Sequence, residues 1–246
     1  MIRMDWSRIS AETLLGKLIR LPFRLIPEGS VVRILRGPAR GFHWISNSST
    51  RGFWLGFWEP DNLKLFASQL GPGSVVYDIG AHVGLYTLLS SKSVGNQGHV
   101  YSFEPLPRNV RYLRRHIELN EISNCTVVEA AVSNRAGYQR LDPTAHDSAA
   151  HLSQTGALEV ATIALDEFFY GGSGARPPNA MKINAEGAET EVLLGGRRLI
   201  QEFFPIIFLS LHTERATQEC KEFLSSCGYT IRFLAADKIW AQKTSQ

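Results

Sequence analysis

The sequence predicts an α/β fold: an open, doubly wound, mostly parallel sheet with helices on both faces and an antiparallel C-terminal end. Three observations predict it. Two apolar runs, Val75 to Asp78 and Val100 to Glu104, each end in an acid and lie about one βα unit apart. Between them the chain turns on Gly80 and Gly84 into an apolar-periodic segment, the strand–turn–helix of a nucleoside-binding crevice. Further on, Pro205 to Leu211 is almost uniformly apolar, as a central strand covered on both faces must be.

Taken in order, the chain begins with an apolar-rich stretch, Leu14 to Ile26, interrupted by Lys17, Arg20, Pro22 and Arg24. It is too broken to span a bilayer or to serve as a signal segment. Leu14, Leu15, Leu18 and Ile19 suit one face of a short basic helix that packs on the domain or on a second subunit, and a homodimer is one arrangement this allows. Contact of residues 1–29 with an anionic membrane is the alternative. Residues 30–60 hold Trp44, Phe53, Trp54, Phe57 and Trp58 among Gly and Ser. Val31 to Leu35 and Phe42 to Ile45 are expected to pair around the Arg36–Gly41 turn. This aromatic segment suits a lid over the active site or a staple between the N-terminal residues and the core. Residues 1–60 thus form an extension, and residues 61–246 the main domain.

Asp61 to Leu70 predicts a helix that Gly71 to Gly73 breaks before the first parallel strand, Ser74 to Asp78. A helix follows Gly84, then the strand Val100 to Phe103, then a helix opened by Pro107 with Val110, Leu113 and Ile117 on one face. Arg108, Arg111, Arg114 and Arg115 give that helix a solvated basic face. Cys125 to Glu129 is the third strand. Gly137 to Leu141 and Leu158 to Ala164 are further strands around a polar loop, Asp142 to Gln154, whose His146 and His151 are expected at the surface. Asp166 is expected to cap the next helix. Gly171 to Gly174 and Pro177–Pro178 mark an exposed connection before the fourth core strand, Ala180 to Asn184. Ala188 to Ile200 predicts one helix, Pro205 to Leu211 the fifth strand, and a helix up to Cys227 is closed by Gly228. Two strands around Ala235 to Lys238 complete the chain.

With 246 residues, 44% hydrophobic and 20% charged, the chain can bury one sizeable α/β core. A net charge of +3 is far short of the dense Lys/Arg stripe that phosphate contacts demand, so a nucleic-acid partner is not expected. Cys125, Cys220 and Cys227 form no Cys-x-x-Cys pair and leave an odd count, which argues against a disulfide framework or a zinc site and suits a reducing cytoplasm.

A pyrophosphate needs a Gly-x-Gly-x-x-Gly turn, whereas Gly80, Ala81, His82, Val83 and Gly84 form a wider loop beneath an acid that repels phosphate. A nicotinamide-dependent oxidoreductase is therefore disfavoured. The acid suits a cationic adenosine ligand, S-adenosylmethionine. Asp78, Gly80, Ala81, His82 and Gly84 are the candidates at the loop. Glu104, followed by Pro105, would accept the ribose hydroxyls, and Ala130 and Ala131 leave room for a base. The ends of the fourth and fifth strands offer Asn184, Glu186, Ser210 and His212 to a small hydroxyl-bearing substrate. His212 or Glu186 can accept a proton, although Glu186 and Glu189 equally suit a helix start. Asn184 can orient a hydroxyl but brings no charge to hold a divalent ion, so no metal is expected.

Asp78 to Tyr86, Phe103-Glu104-Pro105, Thr162 to Asp166 and Lys182 to Glu189 occur in this order, and together they resemble the FkbM-type methyltransferases from about Trp58 to Tyr229. The Lys-Ile-x-x-Glu-Gly-Ala-Glu segment is the most specific piece. The resemblance implies a class I methyltransferase (Rossmann-like) fold, S-adenosylmethionine as donor, and O-methylation of a sugar or natural-product hydroxyl. Two positions depart from the family's pattern: Asn184 stands where Asp is common, and His82 where Asn is common. The first bears on catalysis, and a cofactor-binding protein that has lost turnover through Asn184 is the alternative.

Overall fold

The computed structural model describes residues 26–142, 151–152 and 158–243. The expected basic helix lies almost wholly outside these residues, as does His146. The described chain opens with an antiparallel ribbon of β1 (Val31–Arg33) and β2 (His43–Ile45), in which Val31 faces Ile45. Then come α1 (Arg51–Leu55) and α2 (Pro60–Ser68). The first half of the core runs β3 (Val75–Ile79), α3 (Leu85–Val94), β4 (His99–Phe103), α4 (Pro107–Leu119) and β5 (Cys125–Val128). An excursion follows: β6 (Ala131–Val132), β7 (Gly137–Asp142), β8 (His151–Leu152), β9 (Leu158–Ile163) and α5 (Leu165–Tyr170). The second half runs β10 (Ala180–Ile183), α6 (Glu189–Gly195), α7 (Arg197–Phe203), β11 (Ile206–Ser210), α8 (Glu214–Ser226), β12 (Tyr229–Ala235) and β13 (Lys238–Lys243).

The main sheet has seven strands in the order β12-β13-β11-β10-β3-β4-β5. β3, β4, β5, β10 and β11 run parallel to one another, and β13 runs antiparallel to both β11 and β12. The chain winds outward from β3 to β5 and then restarts at β10 beside β3, so the order reverses between these two strands and a crevice opens past their carboxyl ends. Every residue of β3 and β10 is buried, which explains why both read as apolar runs. The core under them is built from Tyr77, Phe103, Met181, Ile183, Leu193 and Ile207, among others.

Three expectations need correction. The polar loop after residue 142 contains β8, which pairs with β7, and β6 to β9 make a separate four-stranded sheet in the order β6-β9-β7-β8. His151 is thus a strand residue. A tight turn, in which Ala130 N donates to Val128 O, diverts the chain out of the main sheet here. The helix expected from Ala188 to Ile200 is two helices, α6 and α7. At Gly195 a Cβ would sit 2.1 Å from Ser133 O, so the helix passes too close to the small sheet for any side chain, and the chain re-aims at Gly196. Asp166 does not cap its own helix, whose N-cap is Ala164. Its carboxylate instead accepts from Arg198 N at 3.0 Å and Leu199 N at 2.9 Å, capping α7 across space.

The aromatic segment packs on α3 and α4. Ile34, Trp44, Phe53 and Trp54 share one apolar cluster with Leu63, Val83, Leu85 and Leu88. Asn120 binds both the N–H and the C=O of His43, at 2.8 and 2.9 Å. His116, fully buried, stacks under Trp44 with 4.0 Å between ring centres. Its Nε2 accepts from Ile45 N at 3.0 Å, so the ring is neutral with its proton on Nδ1, donated to Val83 O at 2.7 Å. On the outer face of α4, Arg114 and Arg115 pair with Glu129 and Glu118 in exposed positions, while Arg108 reaches Ser48 O at 3.2 Å. No helix among the described residues is long and apolar enough to cross a membrane.

Burial lowers the pKa of His116 from 6.5 to about 4. Between those values the unfolded chain binds the additional proton, so the stability held by neutral His116 is complete above pH 6.5 and is lost as the pH falls to about 4. The loss amounts to roughly 3 kcal/mol. Denaturant unfolding should therefore fall off more steeply over this window in the wild type than in His116→Gln, and equal slopes would remove His116 as the cause.

Candidate active site

A cleft of about 370 Å³ opens at the carboxyl ends of β3, β4, β10 and β11. One pole is the loop after β3. Gly80 N and Ala81 N both donate to Phe103 O at 3.0 Å, which folds the loop back over β4. Gly80 has φ +71, and a Cβ there would lie 1.9 Å from Asn184 O; only glycine lets the loop touch β10's end. Gly80, Ala81, His82, Glu104, Pro105 and the pair Ala130–Ala131 line this pole.

Glu104 is 4% exposed. Its Oε2 accepts from His82 N at 2.8 Å, and its Oε1 from Leu106 N at 3.0 Å and Asn109 Nδ2 at 3.2 Å. Burial pushes its carboxyl above the usual range, and the N–H donors of Leu106 and His82 pull it back. Oε2 keeps capacity for a further hydroxyl donor.

Asp78 and Gly84, both expected at the cofactor, do not line the cleft. Asp78 is fully buried below the loop, with Oδ2 accepting from Thr87 Oγ1 at 2.7 Å and Oδ1 3.2 Å from Lys182 Nζ. Lys182 is its register partner across the β10–β3 ladder and also donates to Gly80 O at 2.7 Å. The acid's charge is therefore answered from inside the protein, and Asp78 shapes the loop from beneath. Gly84 serves packing: a Cβ would stand 2.5 Å from Leu113 Cδ1 on α4.

The opposite pole gathers Asn184, Glu186 and His212. Asn184 Nδ2 donates to Glu186 Oε1 at 3.3 Å. His212 follows β11, with Nδ1 2.8 Å from Glu189 Oε1 and Nε2 3.4 Å from Glu186 Oε2. Glu189 has no exposed surface, and the same Oε1 accepts from Ala185 N at 3.2 Å and Gly187 N at 3.0 Å. The Glu189 hydrogen bond raises the pKa of His212, against a smaller opposing effect of burial. Burial raises that of Glu186. Glu186 holds a left-handed conformation, φ 49, and its carboxylate lies 3.4 Å from the ring's Nε2. Glu189 is the site residue that sequence reasoning missed, because a helix-start acid is common and nothing local shows that residue 212 folds over it. Ser210 also lines the cleft.

The first pole fits a nucleoside. It offers a buried carboxylate for a diol, with small and apolar walls from Ala130, Ala131, Val132 and Leu141 for a base. Among the described residues, the lysines lining the cleft are Lys182 and Lys238, each already ion-paired, so neither is free to hold a pyrophosphate.

A doubly wound parallel sheet closed by an antiparallel β13, with such a cleft at its switch point, is the architecture of the class I methyltransferases. The family profile described as "Methyltransferase FkbM domain" matches residues 78–231, well over half of the chain, and the protein belongs to this family. It is 25% identical over 171 residues to the hexuronic acid methyltransferase AglP of Haloferax volcanii, covering 68% of each chain. Its fold is similar to the crystal structure of the methyltransferase FkbM from Methylobacillus flagellatus KT, with a TM-score of 0.52 and 17% identity. That likeness covers 81% of this chain but 56% of the other, so the chain spans little more than half the length of that protein.

Titration calorimetry checks the first pole. Glu104→Ala should weaken S-adenosylmethionine binding by about 1–3 kcal/mol, the range for a hydrogen bond to a charged group, and nicotinamide dinucleotides should show no saturable binding. An unchanged affinity would remove Glu104 from the site.

Proposed function

We propose that this chain is an S-adenosylmethionine-dependent O-methyltransferase whose acceptor is a hydroxyl on a small sugar or related natural product. The observation that carries this reading is His212 held on buried Glu189 in the same cleft as the Glu104 pole. Family membership supports methyl transfer, and the name of the Haloferax volcanii relative supports a sugar acceptor.

Glu104 would take the ribose hydroxyls, the loop of Gly80, Ala81 and His82 with Pro105 would border the ribose, and Ala130 and Ala131 would flank the adenine. Bound there, S-adenosylmethionine supplies a methyl already activated on a sulfonium. The protein's main task is then alignment, worth effective molarities on the order of 10⁵–10⁸ M, whereas a general base adds about 10²–10⁴-fold. Glu189 fixes the Nδ1–H tautomer of His212, which leaves Nε2 to accept the hydroxyl proton as the new bond forms. Glu186 then faces the imidazolium and stabilises it. Asn184, hydrogen-bonded to Glu186, presents an amide that orients the acceptor oxygen.

Two measurements test these roles with labelled cofactor and a panel of glycosides. His212→Ala should lower kcat by about 10²–10⁴-fold with little change in cofactor affinity, and wild-type turnover should persist in EDTA. Activity abolished by EDTA and restored by metal would sink the reading of Asn184 as a metal-free orienting group. Because His212 acts as its neutral form, kcat/KM should rise with pH along an acid limb placed above 6.5 by Glu189. Glu189→Gln removes the largest raising influence and should move that limb to lower pH. A limb that stays in place would dissociate Glu189 from the base.

A further inference from the structure

The cleft extends past His212 to a region that the methyl-transfer roles leave unused, where the aromatic segment meets the tip of the β12–β13 hairpin. Trp58 lines the cleft there with one face stacked on Phe53, 4.8 Å between ring centres and 18° between planes, yet 41% of the residue stays exposed. Next to it, Glu59 adopts a left-handed conformation, φ 43 and ψ 47, which a non-glycine residue keeps only where its surroundings over-determine it. Glu59 lines the cleft. Lys238 Nζ stands 2.9 Å from its Oε1, and Asn62 Nδ2 and Tyr86 OH donate to Oε2 at 3.4 and 3.5 Å. Lys238 borders the proposed base, since it pairs with Ser210 in the β11–β13 ladder and Leu211 N donates to Asp237 O at 2.8 Å.

A flat aromatic face beside a half-buried carboxylate and ammonium is the equipment for one kind of molecule. The apolar C–H face of a pyranose covers an indole, while its hydroxyls donate to a carboxylate and accept from an ammonium. We propose that Trp58, Glu59 and Lys238 form the acceptor subsite, and that it takes an uncharged pyranose in preference to the corresponding uronic acid. The preference follows from the charges: Glu59 and Asp237 together outweigh Lys238, whose Nζ lies 3.7 Å from Asp237 Oδ2, so a further carboxylate meets like charge. This rests on the O-methyltransferase reading for its place beside His212, but its binding chemistry is testable without turnover.

The experiment uses the full chain loaded with S-adenosylhomocysteine. Methyl glucopyranoside, methyl galactopyranoside and methyl glucuronoside are titrated, with saturation-transfer NMR and tryptophan fluorescence as readouts. The neutral glycosides should bind at least about fivefold more tightly than the glucuronoside. Trp58→Ala and Lys238→Gln should each weaken the neutral glycosides by about tenfold, with cofactor affinity and melting temperature as controls for folding. Glu59→Gln should narrow the gap between neutral and acidic sugars. No glycoside binding, binding that Trp58→Ala and Glu59→Gln both leave unchanged, or a preference for the glucuronoside would overturn the proposal. The two readings fail separately. Glycoside binding as described without methyl transfer would refute the enzyme reading and leave the subsite standing, whereas methylation of non-sugar hydroxyls with no glycoside binding would refute the subsite alone.

Discussion

The buried pair between Asp78 and Lys182 is the contact on which the rest of the site depends. It joins β3 to β10 at the point where strand order reverses, and Lys182 then reaches over to the carbonyl of Gly80. An ion pair with side-chain exposures of 0% and 11% gives up much solvation, and it persists because each partner is further hydrogen-bonded, Asp78 by Thr87 and Lys182 by the loop. The result is a floor tied both to the sheet and to the loop. The loop over it can be tight enough that Gly80 touches Asn184, which ties the Glu104 pole to the strand end that begins the His212 pole.

The influence of that pair extends into the aromatic segment through Tyr86. Lys182 Nζ lies 5.3 Å from the centre of its ring, and the phenol reaches Glu59. Burial and the neighbouring Glu59 carboxylate raise the pKa of the phenol, so it remains a donor. Residues 26–60 thus contribute to the cleft wall as well as to packing. Phe53, Trp58 and Glu59 stand in the cleft wall, while the His116 and Asn120 contacts hold the ribbon to α4. The end of the cleft around His212 is assembled from three distant stretches of sequence, around residues 59, 186 and 238.

Much of the fold was legible because it rests on local rules. The acid-ended strands, the turn at Gly80, the Pro107 helix start and the almost wholly apolar β11 each follow from backbone sterics or from burial on two faces, and each sits where the pattern put it. Other features were not legible because their cause is a neighbour far away in the chain. The break at Gly196 comes from the approach of residue 133, and the cap of α7 comes from Asp166. In the site, Glu104 could be placed from its strand end, whereas Glu189 looked like an ordinary helix-start acid.

By itself, the sequence determined the sheet class, the turn that makes room for a nucleoside, and the set of polar residues at the strand ends, since each depends on residues within a turn or two of one another. Tertiary structure alone decided what those residues touch. Asp78 lies beneath the loop, paired with Lys182, because the β10–β3 register sets the two side by side. His212 gained its partners because the β11 crossover carries it over Glu189 and Glu186. Proton affinity and charge balance are set by atoms within a few ångströms, and sequence spacing carries no record of which distant atoms those will be.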